Sequence, residues 1–587
     1  MFSTLRVSLF KKITVFSFSA LAACGGSLPK VANESRVTTV NGDVVGYASD
    51  FNTFAWKGIP YAAAPVGDLR WRAPRPVKSW SEPLEALSFG PACIQPPNPT
   101  SGDNAPEQGN VVGSEDCLYL NVFAPQDAVS GNKALPVMFW IHGGANIVGS
   151  AAAYDGAKLA NTQGVVVVTL HYRLGLLGWL RHASLRSDDA SLEDNSGNYG
   201  TLDIIAGLQW VQNNIQVFGG DPNQVTVFGE SAGGRNTWSM IQSPLAKGLF
   251  HRAIVQSGSL RIMDPIKSES YDTTAIDYPV HVNNGDEIVT ALLPEWRDKL
   301  SGVALELRKL SPSDVYDAAV PRPEGIYDQP RLFLDGHVFV EPALSLFKDP
   351  SKYNSVPIMT GTNRDEDKLF LMFDDRWTDF RWGFLPELKD VNRYNKAVAF
   401  GADYWRLLSV DVPTEVITKN GGAPVYNYRF DFDELVTWPV DMANLLGAAH
   451  ALEIPFVFGS YDESIWGYLI DDEPTAAVVS EAMMNYWGEF ARTGNPGQGG
   501  VSQPLWKPWG DSGEHIMLFD SAQGGGVRMV EDRLTLDSYQ QRLFNEKEFT
   551  TQELCEAYRL IVLNGYQTPE FYSAETYAAI ADESCPM

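Results

Sequence analysis

At 587 residues, 44% of them apolar, the chain has ample material for a large core, and no linker or internal repeat divides it. Its formal charge of −27 repels nucleic acid and anionic lipid head groups, which excludes polyanionic partners. The reading is a leader at 1–23, one large domain over 24–530, and a helical appendage at 531–587.

The leader has a basic flank, Arg6, Lys11 and Lys12, followed by a mostly apolar stretch of 11 residues at 13–23. That is too short to span a bilayer and suits the apolar part of a secretory signal. It ends Leu21-Ala22-Ala23-Cys24-Gly25 and so resembles a bacterial lipoprotein signal. The resemblance implies lipid on Cys24 and a place in the cell envelope, with the outer membrane favoured because Gly25 is not an aspartate. An ordinary signal, leaving the protein periplasmic or secreted, is the alternative. Without residues 1–23 the charge becomes −30. Besides Cys24, the chain has Cys93, Cys117, Cys555 and Cys585, an even set for an oxidising compartment. Chain order suggests Cys93–Cys117 and Cys555–Cys585, with two other pairings and free thiols left open.

Val37-Thr38-Thr39-Val40 and Val44-Val45-Gly46-Tyr47 flank Asn41-Gly42, a strong hairpin signal. The continuous apolar runs Val137-Met138-Phe139-Trp140-Ile141 and Val165-Val166-Val167-Val168-Thr169-Leu170 read as parallel strands buried on both faces. Residues 202–214 repeat apolar positions at helical spacing. Ala253-Ile254-Val255 and Val356-Pro357-Ile358-Met359 read as further strands. The aromatic, charged and mostly helical text at 370–438 reads as a cap inserted over the sheet, bounded at about 370–440. Near its end, residues 425–430 form a strand leading back to the core.

Between these elements lies the most informative motif. The strand-like Val225-Thr226-Val227-Phe228 runs into Gly229-Glu230-Ser231-Ala232-Gly233 and then a helix, the nucleophile elbow of an α/β-hydrolase fold. Such a turn exposes the serine Oγ in strained backbone and aims a helix N-terminus at developing negative charge. A nucleophilic serine needs a base, an orienting acid and oxyanion donors, in chain order Ser, acid, His. His450 lies in the small-residue loop Gly447-Ala448-Ala449-His450-Ala451, with room to reach across a cleft. Gly361-Thr362-Asn363-Arg364-Asp365-Glu366 reads as a turn at a strand's C-terminal end, where open α/β sheets place their sites.

Over roughly 37–509 the chain resembles the type B carboxylesterase family, which includes the cholinesterases. The matching stretches are Gly58-Ile59-Pro60-Tyr61, Glu115-Asp116-Cys117-Leu118-Tyr119-Leu120-Asn121 and Phe218-Gly219-Gly220-Asp221-Pro222. The elbow, Tyr486-Trp487-Gly488-Glu489-Phe490-Ala491 and Thr493-Gly494-Asn495-Pro496 complete the set. The resemblance implies an α/β-hydrolase fold, with a large mostly parallel sheet flanked by helices and a helical cap. It implies a triad of Ser231, Glu366 and His450, with Asp365 the rival acid. It also implies oxyanion amides on Gly144, Ala145 and Ala232, and scaffold ion pairs Arg70–Glu115 and Arg173–Asp203. The chemistry implied is ester hydrolysis through an acyl-serine, with no cofactor and no metal, on a small-molecule ester. A monomer is favoured, and membrane contact is expected only through the N-terminal lipid.

The sequence departs from the family at His142-Gly143-Gly144-Ala145-Asn146, where three glycines and an aromatic are usual. Ala145 keeps its N–H, but its Cβ is costly if that position needs positive φ. Asn146 is either a donor to a substrate carbonyl or a solvent-facing loop residue. Arg235, one helical turn after Ser231, is either paired with a carboxylate or recognises an anionic substrate group. Glu230 is expected to raise the pKa of His450 if the two lie close. Residues 94–116 contain no Trp, Tyr or Phe to hold a quaternary ammonium, which argues against choline esters. The expected substrates are small or aromatic esters, with a lipase gripping acyl chains in the cap as the alternative. The family's adhesion proteins lack the triad serine, which this chain retains.

Overall fold

The computed structural model describes residues 28–550 and 553–554, apart from 102–105, 132, 261, 263–268, 270–283, 297–300, 318–319, 322–326, 329–331, 383, 462–466, 500–502 and 511–512. The leader 1–23, Cys24, Cys555 and Cys585 lie outside the described residues.

Eleven strands form the main sheet. In chain order they are β1 (Tyr47–Ser49), β2 (Thr53–Pro60), β3 (Tyr119–Pro125), β4 (Leu135–Ile141), β5 (Val166–Leu170) and β6 (Gly220–Glu230). After them come β7 (Arg252–Gln256), β8 (Ile358–Asn363), β9 (Val425–Phe430), β10 (Ile516–Phe519) and β11 (Arg528–Val530). Across the sheet they run β1-β2-β3-β5-β4-β6-β7-β8-β9-β10-β11. From β5 to β10 the neighbours are parallel; the remaining pairs are antiparallel.

The apolar runs form strands because both sides of each are covered. Along β4, Val137, Phe139 and Ile141 face one core, while Met138 and Trp140 face the other. Helix α1 (Tyr199–Asn214) and helix α2 (Ala232–Gln242) cover the first face. Ala157–Gln163 and, further along, a long helix at Glu473–Thr493 cover the second. Trp140 alone meets Phe228, Tyr154 and Phe458 at 4.8, 5.0 and 5.1 Å between ring centroids. Burial of each such large side chain contributes roughly 1.5–3 kcal/mol. The Asn41-Gly42 hairpin also forms, with Val37 opposite Val44.

Strand order reverses at the centre. The chain leaves β4 for β5 on one side and β6 for β7 on the other, so the connections that follow the C-terminal ends of β4 and β6 diverge. A crevice at such a switch point is where open α/β sheets bind ligands. Here β4 runs into His142-Gly143-Gly144-Ala145-Asn146 and β6 into Ser231.

Two details differ from the sequence reading. Strand β8 does not stop at Met359 but continues through Asn363, buried between β7 and β9. Gly361 is inside it, paired with Gln256 and Tyr428, and must be glycine because a Cβ there would meet the Tyr428 ring at 2.3 Å. The cap region is mostly helical, led by α3 (Val391–Arg406), yet it holds a hairpin of Thr378–Arg381 with Leu385–Leu388. Strand β9 of the main sheet also falls inside the 370–440 bounds. Phe400 and Tyr404 pack on Tyr539 of the helix Leu536–Asn545.

The disulfide Cys93–Cys117 is formed. Both scaffold pairs form as two-pronged contacts, Arg70 to Glu115 at 2.6 and 2.7 Å and Arg173 to Asp203 at 2.7 Å twice. Among the described residues no helix is long and apolar enough to cross a membrane.

Candidate active site

Ser231 sits where β6 ends and α2 begins, at φ 58° and ψ −117°. A serine there is strained by about 1–3 kcal/mol, and its neighbours must hold it. Its N–H donates to Gln256 O at 2.9 Å, and its carbonyl accepts from Arg235 N at 2.9 Å to start the helix. The turn closes only because its flank is glycine. A Cβ on Gly233 would lie 1.9 Å from Ile141 O, and one on Gly143 would lie 3.2 Å from Ser231 Cβ.

The loop after β4 bends back beside this elbow. Gly144, Ala145 and Asn146 all have positive φ, at 96°, 58° and 62°. Gly144 O accepts from the amides of Ile147 and Val148, both at 2.9 Å. Among the described residues no hydrogen bond consumes the amides of Gly144, Ala145 or Ala232. Ala232 is the first residue of α2, so its N–H has no partner within the helix. The alanine Cβ does sit in the costly left-handed region, by roughly 1–2 kcal/mol.

His450 reaches in from the loop Gly447–Ala451, and its Nδ1 lies 2.5 Å from Glu366 Oε2. The other oxygen, Oε1, accepts from Ser257 Oγ at 2.6 Å and from the Asn363 amide at 2.8 Å. Glu366 is fully buried. Asp365, the rival acid, points elsewhere. Its Oδ2 accepts from Arg364 Nη2 at 2.7 Å and the Ala448 amide at 3.0 Å, with Lys368 Nζ at 3.7 Å. Those cations hold the Asp365 carboxyl below its usual range, although burial pushes the other way.

A model of the carboxylesterase family matches residues 33–382 and 383–533. The chain belongs to the carboxylesterase family. The para-nitrobenzyl esterase of Bacillus subtilis (strain 168) is 35% identical over 519 residues, 83% of this chain and 94% of that one. The fumonisin B1 esterase of Sphingopyxis macrogoltabida is 35% identical over 518 residues, 83% of this chain and 87% of that one. Among solved structures, a PNB esterase superposes with a TM-score of 0.68 at 32% identity, covering 87% of this chain and 100% of that one. A Geobacillus stearothermophilus carboxylesterase gives 0.66 at 28%, covering 86% and 99%. The protein is thus an α/β-hydrolase and a carboxylic-ester hydrolase.

Within this carboxylesterase, Glu230 does lie close to the histidine, with Oε1 3.2 Å from His450 Nε2. Burial alone would push the imidazolium down. The carboxylates of Glu230 and Glu366, with Glu453 behind them, outweigh it and raise His450 to about 10. Burial also pushes the Glu230 carboxyl well up, against the pull of His450.

Asn146 is not a solvent-facing loop residue: it is 4% exposed and its Oδ1 accepts from Asn236 Nδ2 at 2.9 Å. The Arg235 Nε donates to Ser259 Oγ at 3.1 Å.

Several site residues carried no signal in the sequence. Ser257 and Asn363 are single polar residues at strand ends. Glu453 accepts from Gln256 Nε2 and Asn363 Nδ2 at 3.1 and 2.7 Å, forming a second buried carboxylate behind the first. It lies three residues after His450, in the turn that precedes the helix Ile454–Phe458. The Trp405 ring packs tilted against His450 at 4.8 Å, Phe370 lies at 5.5 Å, and Trp405 Nε1 donates to Ser257 O at 3.1 Å.

Proposed function

We propose that Ser231 is the nucleophile, His450 the general base and acid, and Glu366 the orienting carboxylate of a two-step hydrolysis of small and aromatic esters. Ser231 Oγ attacks the ester carbonyl as its proton passes to His450 Nε2. The carbonyl oxygen becomes an oxyanion held by the amides of Gly144, Ala145 and Ala232, each worth roughly 3 kcal/mol at the transition state. The alcohol then leaves with the proton from His450, giving acyl-Ser231. Water, deprotonated by the same histidine, releases the acid and restores the serine. The observation that carries this reading is the His450 Nδ1–Glu366 Oε2 contact at 2.5 Å. It fixes a proton on Nδ1 and leaves Nε2 on the side of the ring away from Glu366, 3.2 Å from Glu230 Oε1.

Small and aromatic esters are favoured by the kinship to a para-nitrobenzyl esterase and by a disulfide loop without aromatic residues. A lipase remains the second reading because the cap exposes Trp382 and Phe384 at 75% and 42%, and Trp438 at 85%. An acyl-chain panel that includes an emulsified triglyceride separates the two. A short-chain optimum without a rate jump above substrate solubility is expected, and a sharp jump there would establish the lipase instead. The same panel tests Arg235 as an anion-recognising residue. Arg235→Ala should lower kcat/KM selectively for esters bearing a free carboxylate; equal loss on neutral esters would make it structural.

The base must be neutral to accept a proton, so the acid limb of kcat/KM follows the elevated His450. Glu230→Gln removes one carboxylate that stabilises the imidazolium, so the histidine pKa falls. The limb is then expected to move to lower pH by about one to three units. A pH–rate profile whose limb stays in place, or moves to higher pH, would refute the role given to Glu230.

A further inference from the structure

We propose that Asn146 and Asn236 act as positioning residues, a clamp that holds the oxyanion loop against the helix of Ser231 and sets kcat rather than substrate affinity. The proposal rests on the ester-hydrolysis reading above. The three candidate oxyanion amides come from two separate elements: Gly144 and Ala145 from the loop after β4, and Ala232 from the first turn of α2. No strand pairing continues past Ile141 to fix one against the other. Gly143, packed on Ser231, limits how close the loop can come. Something else must stop it drifting away.

The asparagine pair is placed to do so. Asn236 lies on α2, five residues after Ser231 and four after Ala232. Its Nδ2 donates to Asn146 Oδ1 at 2.9 Å, and Asn146 Nδ2 returns a longer bond to Asn236 Oδ1 at 3.4 Å. Asn236 is fully buried and Asn146 is 4% exposed, so water cannot substitute for either partner. The Tyr172 hydroxyl, which donates to His142 O at 2.6 Å, lies 3.4 Å from the same Asn146 Oδ1. The Asn146 carbonyl in turn accepts from Gly175 N at 2.7 Å.

The backbone explains why a clamp is needed. Ala145 and Asn146 are consecutive non-glycine residues with positive φ, a conformation the chain leaves unless its surroundings hold it. Asparagine tolerates that region better than most residues, and here its side chain also supplies the anchor. A displacement of about 1 Å at a reacting group costs on the order of 100-fold in rate, so a modest loosening of the loop is visible in kinetics.

The test uses the full chain with p-nitrophenyl acetate as substrate and a trifluoromethyl ketone as tetrahedral analogue. Active sites of the wild type are first counted with a fluorophosphonate. A wild type that neither turns over nor labels would strike the hydrolase reading itself, whereas the results below bear on the clamp alone. Asn236→Leu and Asn146→Gly are each expected to lower kcat about 100-fold while KM stays within about threefold. Affinity for the ketone should fall in parallel with kcat, which mere loss of stability would not produce. The double variant should lose little more than either single one, since both break the same contact. Wild-type kcat in either folded variant, a loss carried by KM, or losses that multiply in the double variant would overturn the proposal. Should Asn236→Leu fail to fold by circular dichroism, Asn146→Gly decides alone, because glycine meets the φ of 62° without strain.

Discussion

Ser231→Ala is expected to lower kcat for p-nitrophenyl acetate by about 10⁶-fold and leave the melting temperature close to that of the wild type. The activity goes because the attacking oxygen is the only atom removed. The fold stays because the elbow is held by backbone and glycine contacts. Ser231 N–H bonds to Gln256 O, Ser231 O accepts from Arg235 N, and Gly143 and Gly233 close on either side. Alanine keeps the Cβ that already occupies φ 58°. Residual turnover above the uncatalysed rate is expected from the oxyanion amides and substrate binding alone. Full activity in the alanine variant, measured by steady-state kinetics, would remove Ser231 from the reaction.

Glu366→Gln is expected to cost about 10⁴-fold in kcat with the fold intact. The local hydrogen bonds say why. Glu366 Oε1 receives the Asn363 amide and the Ser257 hydroxyl. The backbone N–H can only donate, so a glutamine must place its oxygen there and turn its NH₂ toward His450 Nδ1. The histidine is then driven to the tautomer with its proton on Nε2, where it cannot accept one from Ser231. Asp365→Asn should instead leave kcat near wild type and cost stability, since Arg364 and the nearly buried Lys368 lose a shared anion. Kinetics and thermal melts of the two variants separate these outcomes. A collapse of kcat in a folded Asp365→Asn protein, with Glu366→Gln spared, would move the orienting acid from Glu366 to Asp365.

Much of this arrangement was legible in the sequence because it depends on local signals. Continuous Val/Ile runs mark strands buried on both faces, and β4, β5 and β7 fall where those runs lie. The G-x-S-x-G elbow is local too, since its glycines answer to contacts made within a few residues of the turn and with one neighbouring strand. The acid was harder. Gly361-Thr362-Asn363 looks like a turn, but neighbours on both sides draw it into β8, so pairing overrides local composition. Illegible altogether were contacts between distant segments. Trp405 over His450, Ser257 under Glu366 and Asn236 against Asn146 join residues 45, 109 and 90 positions apart or more, and single polar or aromatic residues give no periodic trace. Asn146 shows this best. As text it was a polar intruder in a loop; in the fold it is buried and bonded.

A covalent acyl-enzyme on Ser231, formed with His450 as base, can be trapped. The full chain is reacted with a fluorophosphonate, digested, and mapped by tandem mass spectrometry, with His450→Ala alongside. A single adduct on the peptide spanning Gly229-Glu230-Ser231-Ala232-Gly233, localised to Ser231 and formed far more slowly in His450→Ala, is the predicted result. An adduct on any other residue, or undiminished labelling without His450, would contradict it.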